Sequence, residues 1–380
     1  MKIKTIGIKY PQQRLVLNKV DGIEYESIEN YINPFLKKLK RFEIWKPFLD
    51  FNIDGYHTVN TTMLTNKPWC VSFEDFVPRG MVDDFWKLAF WGKEIAPNSR
   101  IDRMMQIISR PNCKRLIALS ECNLQMQLRF YKYYNNLQIT DNLESKPCML
   151  KVPQETYVSE VDKIPSRLIK FVFVGNDFVR KGGREILDVF REIRKTRTDF
   201  ELHMVTIFEK SYCTTFRRCQ DNKEELGEIT SWAKTQDWIH IYKRIPNSEV
   251  IQILKKCDVG LLPTWFDTYG YSVLEMQACG LPVITTNIRA LPEINREGWL
   301  LKLPVIFNNE LFHTQSLGEK RSLRQQMQKQ MYDVIIDILN HREVIIQRGK
   351  ASLDYIMKYH SPTVYARKLA DIYNEFNLKG

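Results

Sequence analysis

The segment Pro263-Thr-Trp-Phe-Asp267-Thr-Tyr269-Gly270-Tyr271-Ser272-Val-Leu-Glu275-Met-Gln-Ala-Cys279-Gly280-Leu-Pro282-Val-Ile-Thr-Thr286 decides how the chain is read. It predicts a loop, a short helix and a buried strand, in that order. Gly280 and Pro282 end the helix, because glycine accepts a left-handed turn and proline cannot continue a helix. Asp267 and Glu275 stand eight positions apart across a Tyr-Gly-Tyr turn. A loop that brings backbone N–H groups to a helix start is an anion site. A carboxylate one turn into such a helix can accept charge-assisted hydrogen bonds from sugar or ribose hydroxyls.

Upstream of this segment, apolar runs alternate with helical periodicity. Residues 168–174, LIKFVFV, form an apolar run broken only by Lys170, as expected of a strand buried on both faces. It opens into Gly175-Asn-Asp-Phe-Val-Arg180-Lys181-Gly182-Gly183 and a helix over 184–195. Strands are expected at 200–206, 238–242 and 258–262, with a helix over 248–256. This β–α alternation predicts a doubly wound parallel sheet. Beyond residue 301 the strands stop, and helices are expected over 319–340 and 342–359. Ser361-Pro362 then begins a last helix, with Ser361 as cap and Pro362 at the first position.

The first half reads less plainly. Residues 2–8 alternate as a first strand. Residues 25–48 have roughly helical spacing, interrupted at Pro34, and the stretch 36–48 is rich in lysine and arginine. It has two readings: a basic amphipathic surface on anionic lipid, or an ordinary helix with a solvated basic face. Asp54-Gly55 is a turn signal. Residues 69–73 form a short strand ending at Glu74-Asp75. Side chains just past the carboxyl ends of strands face ligands in open α/β sheets, so Glu74 and Asp75 are candidates for contact with an acceptor hydroxyl, against the alternative of exposed loop acids. His57 is a third candidate, against the alternative of a packed histidine. Residues 114–120 and 125–134 read as strand and helix. Residues 140–167 are polar and proline-bearing, as in a linker.

Bulk properties bound the class. At 380 residues, two domains are expected. With 44% hydrophobic and 27% charged residues, the chain is globular rather than disordered. No apolar run reaches the roughly eighteen residues of a membrane span, and the opening residues MKIKTIGIKYPQQ lack the apolar middle of a signal peptide. A cytoplasmic protein is expected, with peripheral contact at the inner membrane face if the basic stretch meets lipid. The eight cysteines show no CxxC pair, and none of the six histidines is spaced with them as ligands. Reduced thiols and no metal are therefore expected. The net charge of +11 fits phosphate-bearing ligands, an anionic membrane or nucleic acid. No nucleic-acid module signature appears, so nucleic acid is not an expected partner.

The residues from about 168 to 295 resemble the retaining glycosyltransferases of family 4, the glycosyl transferases group 1. The family carries a Glu, seven residues and a second Glu, followed by an Ala/Gly/Pro-Val run. Here that is Asp267 through Glu275, then Gln-Ala-Cys-Gly280-Leu-Pro282-Val. The first acid is Asp, one methylene shorter. Gly175 followed by Arg180-Lys181-Gly182-Gly183 matches the family's diphosphate grip, and Ser361-Pro362 its closing helix. The first domain departs from the family: its Gly-rich loop is absent, and its His-Asp appears as Glu74-Asp75.

The resemblance implies a GT-B fold, α/β, with two facing Rossmann-like doubly wound domains. These would be 1–165 on the acceptor side and 166–360 on the nucleotide-sugar side, with 361–380 packing back on the first. It implies transfer of a sugar from a nucleotide-sugar to a hydroxyl of a glycan or lipid-linked acceptor, with retention and without metal or other cofactor, in surface polysaccharide synthesis. Arg180, Lys181 and the following glycine N–H groups would stabilise the leaving diphosphate. Gly175 and Gly182 would let backbone approach it. Asp267 would meet the donor sugar. The N–H groups of Tyr269, Gly270 and Tyr271 would face sugar or phosphate while the tyrosine rings pack. Glu275 would hold the ribose, although Ser272-Val-Leu-Glu275 also reads as a capping box. The alternatives are a non-catalytic sugar-nucleotide-binding accessory protein, or another GT-B enzyme such as an epimerase or phosphorylase.

Overall fold

The computed structural model describes residues 1–7, 19–27, 44–45, 52–78, 98–134, 143–161, 167–209, 212–216, 219–306, 309, 311 and 316–377. The basic 36–48 stretch lies outside the described residues, apart from the backbone of 44–45. The chain divides into two compact units, Met1–Gln154 with His360–Gly380, and Glu155–Tyr359. No described helix is long and apolar enough to cross a membrane.

Unit 1 carries strands β1 (Lys2–Ile6), β2 (Glu24–Ser27), β3 (Ile44–Trp45), β4 (Gly55–Val59), β5 (Thr62–Met63), β6 (Trp69–Phe73), β7 (Cys113–Ala118) and β8 (Pro147–Met149). Between them lie helices α1 (Ser99–Ser109) and α2 (Glu121–Tyr133). Six strands form a parallel sheet in the order β2-β1-β4-β6-β7-β8, and β3 pairs with β5 separately. The winding reverses between β1 and β4.

Several sequence expectations fail here. Residues 24–27 form an edge strand, not the start of a helix. Glu24 and Glu26 face Lys2 and Lys4 on β1, and these exposed ion pairs accompany the register. Asp54-Gly55 is not a turn, because β4 begins at Gly55. A Cβ on Gly55 would lie 2.4 Å from the Phe376 ring and 2.8 Å from Pro68 O. The glycine is needed for close approach rather than for chain reversal. β8 runs through the proline-bearing stretch expected to be linker, and Pro147 opens that edge strand, where a missing N–H costs no ladder bond.

Unit 2 carries β9 (Ile169–Gly175), α3 (Gly183–Ile193), β10 (Phe200–Thr206), α4 (Lys223–Lys234), β11 (Ile239–Tyr242), α5 (Asn247–Leu254) and β12 (Val259–Leu262). It continues with α6 (Tyr271–Ala278), β13 (Val283–Thr286), α7 (Leu291–Ile294), β14 (Trp299–Leu301), α8 (Leu317–Asn340) and α9 (Glu343–Tyr359). All pairings are parallel, in the order β11-β10-β9-β12-β13-β14. Counted from β9, this is the 3-2-1-4-5-6 order of a doubly wound sheet. β9 is mostly apolar because both of its faces are covered: Ile169, Phe171, Val172 and Phe173 are all buried, and Lys170 is the one charged residue in the strand. The unit starts before residue 166. The Tyr157 N–H donates to Ala278 O (2.8 Å), and Val161 lies against Gly280, so the chain joins this unit soon after Gln154.

The last helix, α10 (Pro362–Asn374), belongs to unit 1. Ser361 Oγ accepts from the Val364 N–H, and proline occupies the first turn. Tyr365, Leu369, Ile372 and Tyr373 recur at helical spacing and are buried against Ile3, Cys70, Ile117 and Leu150. Each buried aliphatic side chain on that face contributes about 1.5–3 kcal/mol.

Candidate active site

In unit 2 the winding reverses between β9 and β12, and ligands in open α/β sheets bind beyond the carboxyl ends of the strands at such a point. Two loops meet there: Gly175–Gly182 leaving β9, and Pro263–Gly270 leaving β12. Gly182 is the contact between them. Its φ is +81°, and a Cβ there would lie 2.0 Å from Pro263 O. Gly183 is equally crowded, with a Cβ placed 2.3 Å from the Phe178 ring. Hydrogen bonds then stitch the loops. The Trp265 N–H donates to Arg180 O (2.9 Å), and Arg180 Nη1 donates to Phe266 O (2.8 Å). Thr264 Oγ1 lies 3.0 Å from Arg180 O and 2.9 Å from Phe266 O, and Thr286 Oγ1 donates to Thr264 O (2.7 Å).

This stitching brings together residues far apart in sequence. Lys181 Nζ is ion-paired with Asp267, and both side chains are largely buried. The Tyr269 N–H also donates to Asp267 Oδ1 (3.4 Å). Burial alone would raise the Asp267 carboxyl, but the Lys181 and Arg180 charges outweigh it and hold the group below the usual carboxylate range. Arg180 donates through Nε to Asp177 Oδ2 (2.9 Å), and its Nη2 is also ion-paired with that carboxylate. Gly175, at the end of β9, leaves room for the Lys181 stem: a Cβ there would be 3.0 Å from Lys181 Cγ.

The glycines act by lacking side chains. The N–H of Gly182 donates to Val179 O (3.1 Å), and that of Gly183 to Phe178 O (2.8 Å). These two donors close the turn, which differs from the expected role in gripping a diphosphate. Helix α6 is entered through Gly270, with φ +98° and a Leu291 methyl 2.7 Å from where its Cβ would stand. Gly270 is thus the cap, and Ser272 already lies in the first turn, so the Ser272–Glu275 capping box does not form. Glu275 is buried, and Asn247 Nδ2 at the start of α5 donates to its Oε1 (3.0 Å). The Tyr269 and Tyr271 rings pack 5.3 Å apart, with Tyr269 buried.

In unit 1 the three acceptor candidates differ in setting. His57 is buried in mid-strand, 2.7 Å from Tyr373 Oη and 2.8 Å from Ser72 Oγ. It ties the sheet to α10 rather than lining a strand end. Glu74 follows β6 and is buried, with its N–H donating to Asn60 Oδ1 (3.1 Å) and its carbonyl accepting from Asn123 Nδ2. Asp75 is half-buried beside it. Both acids stand beyond the carboxyl end of a central strand, close to the start of α2, where Ser120 Oγ caps the helix.

Sequence reading missed Asn247, Thr264, Asp177 and Arg289. Asn247 follows Pro246 at a helix start, and nothing in its spacing points to Glu275. Arg289 has a left-handed backbone (φ 51°), is buried, and stands with its guanidinium 5.7 Å from the Phe266 ring centre. A bulky residue in that conformation is uncommon and clusters at ligand sites.

A family model described as "Glycosyl transferases group 1" matches residues 157–303. Among curated proteins, the O-antigen chain mannosyltransferase B of Escherichia coli is 21% identical over 35% of this chain and 32% of its own length. The D-inositol 3-phosphate glycosyltransferase of Arthrobacter sp. (strain FB24) is 23% identical over 34% of this chain and 28% of its own. The matched part thus spans about a third of the length of these curated relatives. Solved structures align along nearly the whole chain. A glycosyltransferase from Rickettsia africae ESF-5 gives a TM-score of 0.61 at 16% identity, covering 100% of this chain and 99% of that one. WaaG, a glycosyltransferase involved in lipopolysaccharide biosynthesis, gives 0.56 at 14%, covering 98% and 99%. HepE of Anabaena, solved in complex with UDP and glucose, gives 0.57 at 10%, covering 98% and 99%. At these identities the likeness shows the fold, two Rossmann-like α/β units of GT-B type.

Proposed function

We propose that the chain is a retaining glycosyltransferase of family 4 that moves a sugar from a nucleotide-sugar donor to a hydroxyl of a glycan or lipid-linked acceptor. The observation that carries this reading is the Lys181–Asp267 pair, with Arg180 beside it, at the switch point of the unit 2 sheet. The group 1 match over residues 157–303 encloses every one of these residues. The names of the relatives, an O-antigen mannosyltransferase and WaaG, support a role in surface polysaccharide synthesis. The UDP and glucose bound to HepE support a nucleotide-sugar donor.

In the reaction, the bond from the anomeric carbon to the diphosphate breaks, and a bond from the acceptor oxygen forms. The acceptor proton leaves to a departing phosphate oxygen. Negative charge grows on the diphosphate as it departs. Lys181 and Arg180 are already held in place by Asp267 and Asp177, so their charge is preorganised for that growth. Lys181 has three N–H donors and shares its charge with one carboxylate, which leaves capacity for a phosphate oxygen. Glu275, steadied by Asn247, accepts from the ribose hydroxyls. Asp267 has two tasks in this reading: it orients Lys181 and faces the donor sugar. Glu74 and Asp75 are assigned to the acceptor side. Catalysis is assigned to the cytoplasm, and the basic 36–48 stretch keeps its two readings, contact with the anionic inner membrane face or an ordinary solvated basic face.

Thermal-shift screening against UDP-, GDP- and ADP-sugars, followed by transfer assays with the best donor, tests this. Stabilisation by one nucleotide class is expected, and Glu275→Ala should abolish it. An unchanged response in both Glu275→Ala and Lys181→Met sinks the site assignment. Donor binding with no hydrolysis or transfer to any of a panel of acceptors would favour a non-catalytic accessory protein. Proton NMR of the product's anomeric centre tests retention, and turnover unchanged by EDTA tests metal independence.

A further inference from the structure

Outside this site, one cluster combines side chains that ligate metals. Glu201 and His203 lie two residues apart on β10, so they share a face of the sheet. His240 on the edge strand β11 is the register partner of His203. Parallel pairing therefore stacks three ligating side chains on one face, and the two imidazoles lie 4.6 Å apart at 30°. One ligating atom from each residue lies within 4.8 Å of the others. Glu201 Oε2 is 3.6 Å from His203 Nε2 and 3.7 Å from His240 Nε2. Metal–ligand bonds of about 2.0–2.1 Å at a tetrahedral centre put neighbouring ligands about 3.4 Å apart. These two separations are close to that spacing and too long for direct hydrogen bonds.

Two further features point to an ion. His203 Nε2 is buried and makes no hydrogen bond, an orphaned lone pair or N–H that would be costly without a partner. Its other nitrogen, Nδ1, lies 3.1 Å from Tyr242 Oη. A metal-ligating histidine is characteristically oriented by such a contact through its second nitrogen. We infer that Glu201, His203 and His240 form a binding site for a divalent transition-metal ion of the zinc type, clipping the edge strand β11 to β10. Two imidazoles and one carboxylate suit zinc's preference for nitrogen and oxygen donors and leave a fourth position for water. The triad sits along the strands on the sheet face, whereas Lys181 and Asp267 stand beyond the strand ends. The ion would stand apart from the residues assigned to sugar transfer, and its open fourth position distinguishes it from the closed four-ligand sites of purely structural zinc.

The test is calorimetric titration of zinc chloride into the full-length chain after chelator treatment and dialysis. It is paired with cobalt(II) substitution, read by visible absorption. One equivalent of zinc and the intense visible bands of tetrahedral cobalt are expected. Glu201→Gln and His240→Ala, both at partly exposed positions, should each weaken zinc by at least about tenfold while leaving circular dichroism and the nucleotide-sugar thermal shift intact. His203→Gln should do the same or more. Absence of a one-to-one site in the wild type overturns the inference. So does zinc affinity unchanged in all three variants, which would move the ion to the cysteine thiols, and so does a cobalt spectrum dominated by sulfur charge transfer.

Discussion

Lys181 and Asp267, 86 positions apart in the chain, form an ion pair where the loops after β9 and β12 meet. Their side chains are only 16% and 9% exposed, so either charge is expensive to leave alone. Asp267→Ala should cost about 3–5 kcal/mol in stability, because the Lys181 ammonium would then be stranded. Lys181→Met, which keeps the stem, should lower turnover by about 10²–10³-fold. The double variant should be much more stable than the two single losses added together. Urea unfolding and donor kinetics on the four proteins check this, and additivity in stability would mean the pair is not coupled.

Gly182 should tolerate no side chain. Gly182→Ala combines a left-handed backbone with a Cβ 2.0 Å from Pro263 O, so the two loops must separate. A loss above about 1–3 kcal/mol is expected from the backbone strain alone, together with loss of donor binding. Gly227→Ala in α4 is the control, since nothing lies within 4 Å of its Cβ. It should stabilise by up to about 1 kcal/mol. Melting temperatures that move in the same direction for both variants would contradict the steric argument.

Glu275 and Asn247 should act together on the nucleotide. Glu275→Gln keeps the shape and removes the charge, so it should weaken donor binding by roughly tenfold or more, in line with a charge-assisted bond worth about 1.5–3 kcal/mol. Asn247→Ala should weaken binding less, because it only frees the carboxylate to wander. Calorimetry with the donor's nucleoside diphosphate measures both. An Asn247→Ala effect larger than that of Glu275→Gln would reverse the assigned roles.

Unit 1 should lose stability on mild acidification. Burial pushes His57 and His360 down from the ordinary histidine range, each to about 4. Between the unfolded value near 6.5 and about 4, the unfolded chain binds more protons than the folded one, so stability falls as pH falls. The loss should reach on the order of 2 kcal/mol per histidine by pH 5. His57→Gln keeps neutral hydrogen bonding toward Ser72 and Tyr373 and should show a smaller drop in melting temperature between pH 7 and pH 5. An equal drop in both proteins would remove His57 from the account.

Much of unit 2 was legible in the residues. A strand covered on both faces is predominantly apolar, so 168–174 announced β9 despite Lys170, and 200–206 coincides with β10. Glycines and prolines punctuated the segment from Pro263 to Thr286 correctly, because their backbone limits are local. The alternation of strands and helices then left a doubly wound sheet as the natural packing. Unit 1 was less legible, since its edge strands are short, polar or proline-bearing. Gly55 is read correctly only once Phe376, from the far end of the chain, is seen to press against it.

What the sequence determined by itself was therefore the local alphabet: most strands and helices of unit 2, where its helices start, that two cations precede one glycine turn and that two acids flank another. Only the tertiary structure decided who meets whom. Strand order brought Lys181 to Asp267 and Asn247 to Glu275, and the packing of α10 on the unit 1 sheet brought Tyr373 to His57. Parallel register set His240 beside His203 and Glu201, a ligand set that no spacing along the chain reveals. The physical reason is that hydrogen bonds and ion pairs act over a few ångströms. Propensity and periodicity act over a few residues, and only the folded sheet converts one kind of nearness into the other.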